Sequence, residues 1–309
     1  MKKAAGILIT IAAVLLMAVS AGPVFAAETE TNVSSETPAY KNEWVKKGGK
    51  YYYYQNNGEK YTQTGFKKID GEYYYFTGDG SRINKKGFRK IDGKYYYFQK
   101  NGKVYKKAGL KKIKGAVYCF TKKRYVVANG AKKTKGVLHV YGKTGKMLKK
   151  KRLYTLNGKY YRIDSKGKAE KLSKVQAEAS RLTWVFINKY TNKGDSKAVK
   201  FRKCFNRMEC ANYRPGYIRR SETDGKDWPY KIVVKVLRNN NRWTHNCYGF
   251  ACTIASLARE LGYKPYVCVL QQDHAVVQIN GKYYDNMGAR FGASSPAIKG
   301  FKIHKKYKF

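Results

Sequence analysis

Over 309 residues the chain carries 65 Lys and Arg against 20 Asp and Glu, a formal net charge of +45. Most of the basic residues are Lys, a mobile point charge, and few are Arg, the rigid fork of bidentate recognition, so a polyanionic partner is implied but not the reading of a base sequence. With 29 Tyr, 29 Gly and only 6 Pro the chain is not a disordered basic tail, and a hydrophobic content of 43% supplies a core for each of two domains.

The N-terminus reads as a secretory signal over residues 1–26. Lys2 and Lys3 start it, Ala4 to Val19 is apolar and uncharged, and Val24-Phe25-Ala26 supplies a cleavage site. The apolar run falls short of the roughly 20 residues needed to cross a bilayer, so export with no membrane span after cleavage is expected. Residues 27–42 are polar and rich in Ser and Thr, as in a linker.

A period of 22 residues follows. Gly49, Gly71, Gly93, Gly115, Gly136 and Gly158 recur at spacings of 22, 22, 22, 21 and 22. A second glycine follows nine residues later in every unit but the fourth, which has Arg124 there. Aromatic runs such as Tyr73 to Phe76 and Tyr95 to Phe98, bounded by Asp-Gly or Asn-Gly, predict hairpins. One hairpin is too small to bury its own apolar face, so about six units over residues 43–172 must stack as a solenoid. This region holds 36 basic and 8 acidic residues, a net +28.

The successive segments GFKKIDGEYYYFTGDG and GFRKIDGKYYYFQKNG resemble the cell-wall-binding repeats of Gram-positive surface proteins, the family of choline-binding and glucan-binding modules. The resemblance implies a secreted, cell-wall-associated protein whose aromatic side chains stack on or cage a wall ligand. Phe66 and Phe88 stand where the family has Trp, and Tyr-Tyr replaces its Trp-Tyr pair, which argues against a choline cage. The expected ligand is an anionic wall polymer or polysaccharide such as teichoic acid, held by Lys and by Phe66, Tyr74, Tyr75, Phe88, Tyr96 and Tyr97. Nucleic acid is not expected as a partner.

From residue 173 the period is lost, although a net +17 persists to residue 309. Ser173 is placed to cap a helix reaching about Lys189, and a second helix is expected over residues 197–210. Function is not legible in residues 173–240. Cys247 then opens an apolar-periodic segment through Phe250, Ile254, Leu257, Ala258 and Leu261, stopped by Gly262 and Pro265. A cysteine at a helix N-terminus has its thiolate favoured by the dipole and the free N–H groups. Tyr266 to Leu270 reads as a strand, and residues 274–279 and 282–285 read as a hairpin about Asn280-Gly281. A two-residue turn pairs Ile279 with Lys282 and sets His274 diagonally beside Asp285, an orienting acid for a general base.

HNCYGFA and DHAVVQINGKYYDN resemble the transglutaminase-like superfamily. The resemblance implies a Cys247, His274 and Asp285 triad acting on amide or peptide bonds of a peptide or protein substrate through a thioester, in hydrolysis or acyl transfer. The backbone N–H of Cys247 and the side chains of Asn246 and Trp243 are candidate oxyanion donors. Cys252 is a rival nucleophile, read as core. No metal-ligand spacing, phosphate loop or dinucleotide fingerprint appears, so no cofactor is expected, and the six cysteines are expected to be mostly reduced. The fold class expected is multidomain, with an all-β hairpin-repeat solenoid before an α+β transglutaminase-like (papain-like) domain over residues 173–309. The alternatives are a peptidoglycan cysteine peptidase, and a non-catalytic wall-binding adhesin or scaffold with an inactive domain.

Overall fold

The computed structural model describes residues 40–238 and 243–309. The signal expected over residues 1–26 lies outside the described residues, as does the linker expected over 27–42 except for its last three residues. Six antiparallel hairpins come first: β1 (Glu43–Lys47) with β2 (Lys50–Tyr54), β3 (Gly65–Ile69) with β4 (Glu72–Phe76), and β5 (Gly87–Ile91) with β6 (Lys94–Phe98). β7 (Gly109–Ile113) pairs with β8 (Ala116–Phe120), β9 (Gly130–Thr134) with β10 (Val137–Tyr141), and β11 (Arg152–Leu156) with β12 (Lys159–Ile163). β13 (Ala169–Leu172) adds a third strand to the last hairpin.

Each turn follows from its sequence. Asp70 and Gly71 have φ of 49° and 74°, the two left-handed residues a tight hairpin turn of this twist requires. Arg124 takes the place of the second glycine of its unit and holds φ 70° all the same, a conformation that costs a non-glycine residue about 1–2 kcal/mol.

What joins one hairpin to the next is a repeating aromatic contact. Trp44 packs on Tyr53 of its own hairpin (5.2 Å between centroids) and on Tyr74 of the next (4.7 Å). Phe66 does the same with Tyr75 (4.9 Å) and Tyr96 (4.6 Å), and Phe88 with Tyr97 (5.0 Å) and Tyr118 (4.5 Å). Such pairs contribute about 0.5–1.5 kcal/mol each beyond their burial. Backbone bonds cross the same joints, from the N–H of Arg82 to Tyr51, of Val104 to Tyr73 and of Val126 to Tyr95, at 2.7 to 2.9 Å.

The C-terminal region is α+β. Ser173 and Gln176 cap α1 (Lys174–Tyr190) reciprocally, and Ser196 caps α2 (Lys197–Glu209). After β14 (Asn212–Tyr213) comes α3 (Trp228–Leu237), which the sequence reading left unassigned and which buries all but Lys231 and Lys235, four residues apart on its outer face. β15 (Thr244–His245) runs parallel to β14 and leads into α4 (Cys247–Glu260). An antiparallel sheet follows in the order β19 (Arg290–Ala293), β18 (Lys282–Asp285), β17 (Ala275–Ile279), β16 (Tyr266–Leu270), β20 (Ile303–Lys308). Ile279 pairs with Lys282, the register that a two-residue turn dictates. Ala275, Val277 and Ile279 meet α4 in the main core, whereas Cys268, Leu270, Val276 and Tyr283 form a second core with Ile298 and Phe301. Among the described residues no helix is long and apolar enough to cross a membrane.

Every residue of α4 except Arg259 is buried. Its far end is fastened to the hairpin array. The Glu260 carboxylate is ion-paired with Arg162 of β12 and accepts hydrogen bonds from Ser180 Oγ and Trp184 Nε1 of α1, both at 2.8 Å. Arg259 grips Glu170 of β13 at 2.7 and 2.9 Å and hydrogen-bonds the Tyr230 hydroxyl.

Near its start, α4 is held by close approach. A Cβ at Gly249 would stand 2.9 Å from His245 Cβ and 3.1 Å from Val236 Cγ2. Gly249→Ala is therefore expected to destabilise the protein by about 1–3 kcal/mol by overpacking, in spite of the better helix propensity of Ala, as read by urea denaturation. An unchanged or raised midpoint would show that this contact is soft.

Candidate active site

Cys247 is the first residue of α4, 6% exposed, with Asn246 as the N-cap. His274 lies just before β17 and Asp285 ends β18, so the Asn280-Gly281 turn and its register bring the two together. His274 Nε2 is 2.8 Å from Asp285 Oδ1. The Cys247 thiol lies near enough to the same imidazole to act on its pKa. Asp285 is fully buried and its carboxylate is held further by the backbone N–H groups of Met287 (3.0 Å) and Ala297 (3.2 Å). Burial pulls the imidazole pKa down, but Asp285 and Cys247 override it and lift it to about 9. A charged imidazole is thereby held near the Cys247 side chain at neutral pH.

The loop carrying His274 is tied to the same helix. The Tyr248 hydroxyl donates to Asp273 Oδ1 at 2.6 Å, and Arg220 approaches the same carboxylate at 3.8 Å. Asp273 itself sits at φ 54°.

Both side chains expected at the oxyanion site also have a structural role. Asn246 Oδ1 accepts the Gly249 N–H as the helix cap, and one N–H of its Nδ2 donates to the Ile218 carbonyl at 2.7 Å. The Trp243 ring is packed in the core against Phe186 (4.8 Å) and Tyr190 (5.3 Å) of α1. The group that does stand beside Cys247 is Tyr213. The parallel pairing of β14 with β15 sets it opposite His245, near enough to Cys247 for the two to influence each other electrostatically. Burial, and next the proximity of Cys247, raise the Tyr213 pKa, so it stays a neutral O–H donor. Glu209, the last residue of α2, is a second group the sequence did not disclose. Burial and the nearby Asp285 push its carboxyl up to about 7, and its Oε1 is buried without a hydrogen-bond partner.

Cys252 is fully buried in α4, and burial raises its thiol pKa well above the ordinary value, which removes it as a nucleophile. All six cysteines are free, with Cys210 exposed and the others buried. No group of three metal-ligating side chains occurs among the described residues.

In the hairpin array, the aromatic residues expected to face a wall ligand are largely used in the joints. Tyr74 and Tyr97 are buried at 6% and 8%, and Phe66, Tyr75, Phe88 and Tyr96 are half-buried against one another and their neighbours. Their rings hold successive hairpins together. An open groove remains where Phe88, Tyr97 and Tyr118 meet Lys86, Lys114 and Lys146. Ion pairs inside the array involve Asp79, Glu72 and Glu170, which leaves most of its lysines without a carboxylate partner among the described residues.

Residues 42–60, 64–81 and 86–104 match the family described as "Putative cell wall binding repeat". These hairpins are cell-wall-binding repeats of the choline-binding type. Repeats of this type attach proteins to choline-bearing teichoic acids of Gram-positive walls. Among solved structures, choline-binding protein F of Streptococcus pneumoniae is 26% identical with a TM-score of 0.34, over 41% of this chain and 41% of that one. An alternansucrase in complex with isomaltononaose is 30% identical with a TM-score of 0.25, over 42% of this chain and 10% of its own. The autolysin LytC of Streptococcus pneumoniae, in complex with a synthetic peptidoglycan ligand, is 20% identical with a TM-score of 0.25, over 43% of this chain and 34% of its own. The chain thus spans about two fifths or less of the length of these structures. A comparison with curated proteins gave no match.

The raised His274 pKa fixes the sign of a pH dependence. Its charged form is bound more tightly in the folded state, so the stabilisation is complete below the unfolded value of about 6.5 and is lost as pH rises through about 9. Asp285→Asn should therefore lower the urea midpoint most at pH 6, with the deficit shrinking towards pH 10. A deficit constant over that range would mean that Asp285 does not stabilise imidazolium.

Proposed function

We propose that the protein is an envelope-held cysteine acyltransferase or hydrolase, with a transglutaminase-like triad in its C-terminal region acting on amide or peptide bonds. The observation that carries this reading is the assembly of Cys247, at the start of a buried helix, with a His274 that is itself bonded to the buried Asp285 at 2.8 Å. Cys247 Sγ attacks the carbonyl carbon, and the oxyanion is met by the Cys247 backbone N–H and the Tyr213 hydroxyl. His274 gives its proton to the leaving amine as the C–N bond breaks, leaving a thioester. A water or a second amine then attacks the thioester, His274 takes the incoming proton, and the thiolate departs. Asp285 orients the ring and stabilises its charged form throughout.

The hairpins hold this centre on an anionic wall polymer such as teichoic acid. Their unpaired lysines supply charge and the groove at Phe88, Tyr97 and Tyr118 supplies an aromatic wall. Contacts between exposed charges are screened over about 8–10 Å at physiological salt, so binding of this kind weakens as salt rises.

The mature chain and its Cys247→Ala variant, incubated with cell-wall peptides and a labelled amine, provide the test. Amine incorporation by the wild type alone is expected for an acyltransferase and shortened peptide alone for a hydrolase, with the variant inert in both. Equal behaviour of the two proteins would leave only a wall-binding scaffold. In a separate pull-down on purified walls, the chain should elute progressively as sodium chloride is raised and should bind less after teichoic acid is stripped. Retention indifferent to both treatments would overturn the anionic ligand.

A further inference from the structure

At each of five joints one residue bridges back to the end of the preceding strand: Lys60 to Tyr54, Arg82 to Phe76, Val104 to Phe98, Val126 to Phe120 and Met147 to Tyr141. Val104 and Val126 are buried at 0% and 2% and fill their joints with aliphatic carbon. Arg82 occupies the equivalent place with a cation. Its guanidinium carbon lies 4.3 Å from the ring centroid of Trp44, 4.5 Å from that of Tyr51 and 5.3 Å from that of Tyr74. Among the described residues no carboxylate pairs with it, and its Nε is buried without a hydrogen-bond partner. Gly102 closes over the stem, since a Cβ there would stand 3.1 Å from that Nε. Burial lowers the Arg82 pKa, as it must for a cation taken from water without a counter-ion.

A cation surrounded by three rings and lacking an ion-pair partner is held by the ring quadrupoles. The same kind of box recognises quaternary ammonium groups, which carry charge but no hydrogen-bond donor. We propose that Trp44, Tyr51 and Tyr74 form a cage of quaternary-ammonium type that Arg82 fills from within, so that Arg82 is the residue closing this joint to an external trimethylammonium ligand. The proposal concerns the repeats alone and is independent of the chemistry at Cys247.

Choline is the probe, and calorimetric titration of the full mature chain, with sodium chloride as the ionic-strength control, is the measurement. Arg82→Ala is expected to bind one more equivalent of choline than the wild type, and adding Trp44→Ala should weaken that extra site by about tenfold or more. A folded Arg82→Ala variant that takes up no additional choline overturns the proposal. A second measurement needs only the wild type for its readout. In its NMR spectrum the Arg82 side-chain resonances, identified by their loss in Arg82→Lys, should be shifted upfield by the rings and stay fixed as choline is added. Resonances at ordinary positions, or displaced by choline, would show that Arg82 does not own the cage. Loss of wall binding would affect neither readout, so failure of the anchoring role and failure of this proposal are distinguishable.

Discussion

Helix α4 must be buried on nearly every face and still bring its first residue beside His274 and Asp285, and the C-terminal region is organised by that demand. An apolar helix sheathed by α1, α2, α3 and the sheet has only its two ends available for polar chemistry. At one end, Gly249 lets His245 and Val236 close in, and Asn246 ties the cap to the Ile218 carbonyl, which fixes where the Cys247 N–H points. At the other end, Glu260 is a buried carboxylate whose cost of desolvation is offset by an arginine, a hydroxyl and an indole N–H. The sheet then needs only one hairpin in the correct register to bring a base and its orienting acid to the open end.

The parts legible in the sequence are those whose determinants are local. A 22-residue unit repeats its glycines because each hairpin needs the same left-handed turn, and its aromatics because each joint needs the same ring contact. The helical spacing after Cys247 and the Asn280-Gly281 turn were readable for the same reason, since three residues at a helix start and two strand ends follow from period and register. What stayed hidden depends on contacts between distant segments. Tyr213 reaches the site through a two-residue parallel pairing, and Glu209 reaches it because α2 ends beside Asp285. Asn246 illustrates a competing demand. A polar residue beside a nucleophile suggests chemistry, yet a residue just before a helix has a prior claim from the backbone N–H groups it caps. The aromatics of the repeats were ambiguous in sequence, because a ring that packs a joint and a ring that stacks on a ligand are written with the same letter.

The charge divides along the same lines. Net +28 falls on residues 43–172 and +17 on residues 173–309, so the hairpin array carries the larger share on fewer residues. Carboxylates in the array are spent on a few ion pairs, and the aromatics are spent on cohesion, which leaves lysine as its most available surface group. At the centre around Cys247 the charges of His274 and Asp285 oppose one another, so it contributes little to that total.

The clamp formed by Glu260 with Arg162, and by Arg259 with Glu170, has a mechanical meaning. Modules joined by a loose tether sweep out a volume and find substrate by swinging, whereas here the final hairpin grips the base of the helix whose tip bears Cys247. Tension applied through an anchored repeat would pass straight into that helix without first straightening a slack segment. The Cys247 thiol therefore sits at a fixed stand-off from whatever the last hairpin touches, as on a ruler rather than a leash, and under the proposed function a substrate would be selected partly by the height at which it presents its carbonyl.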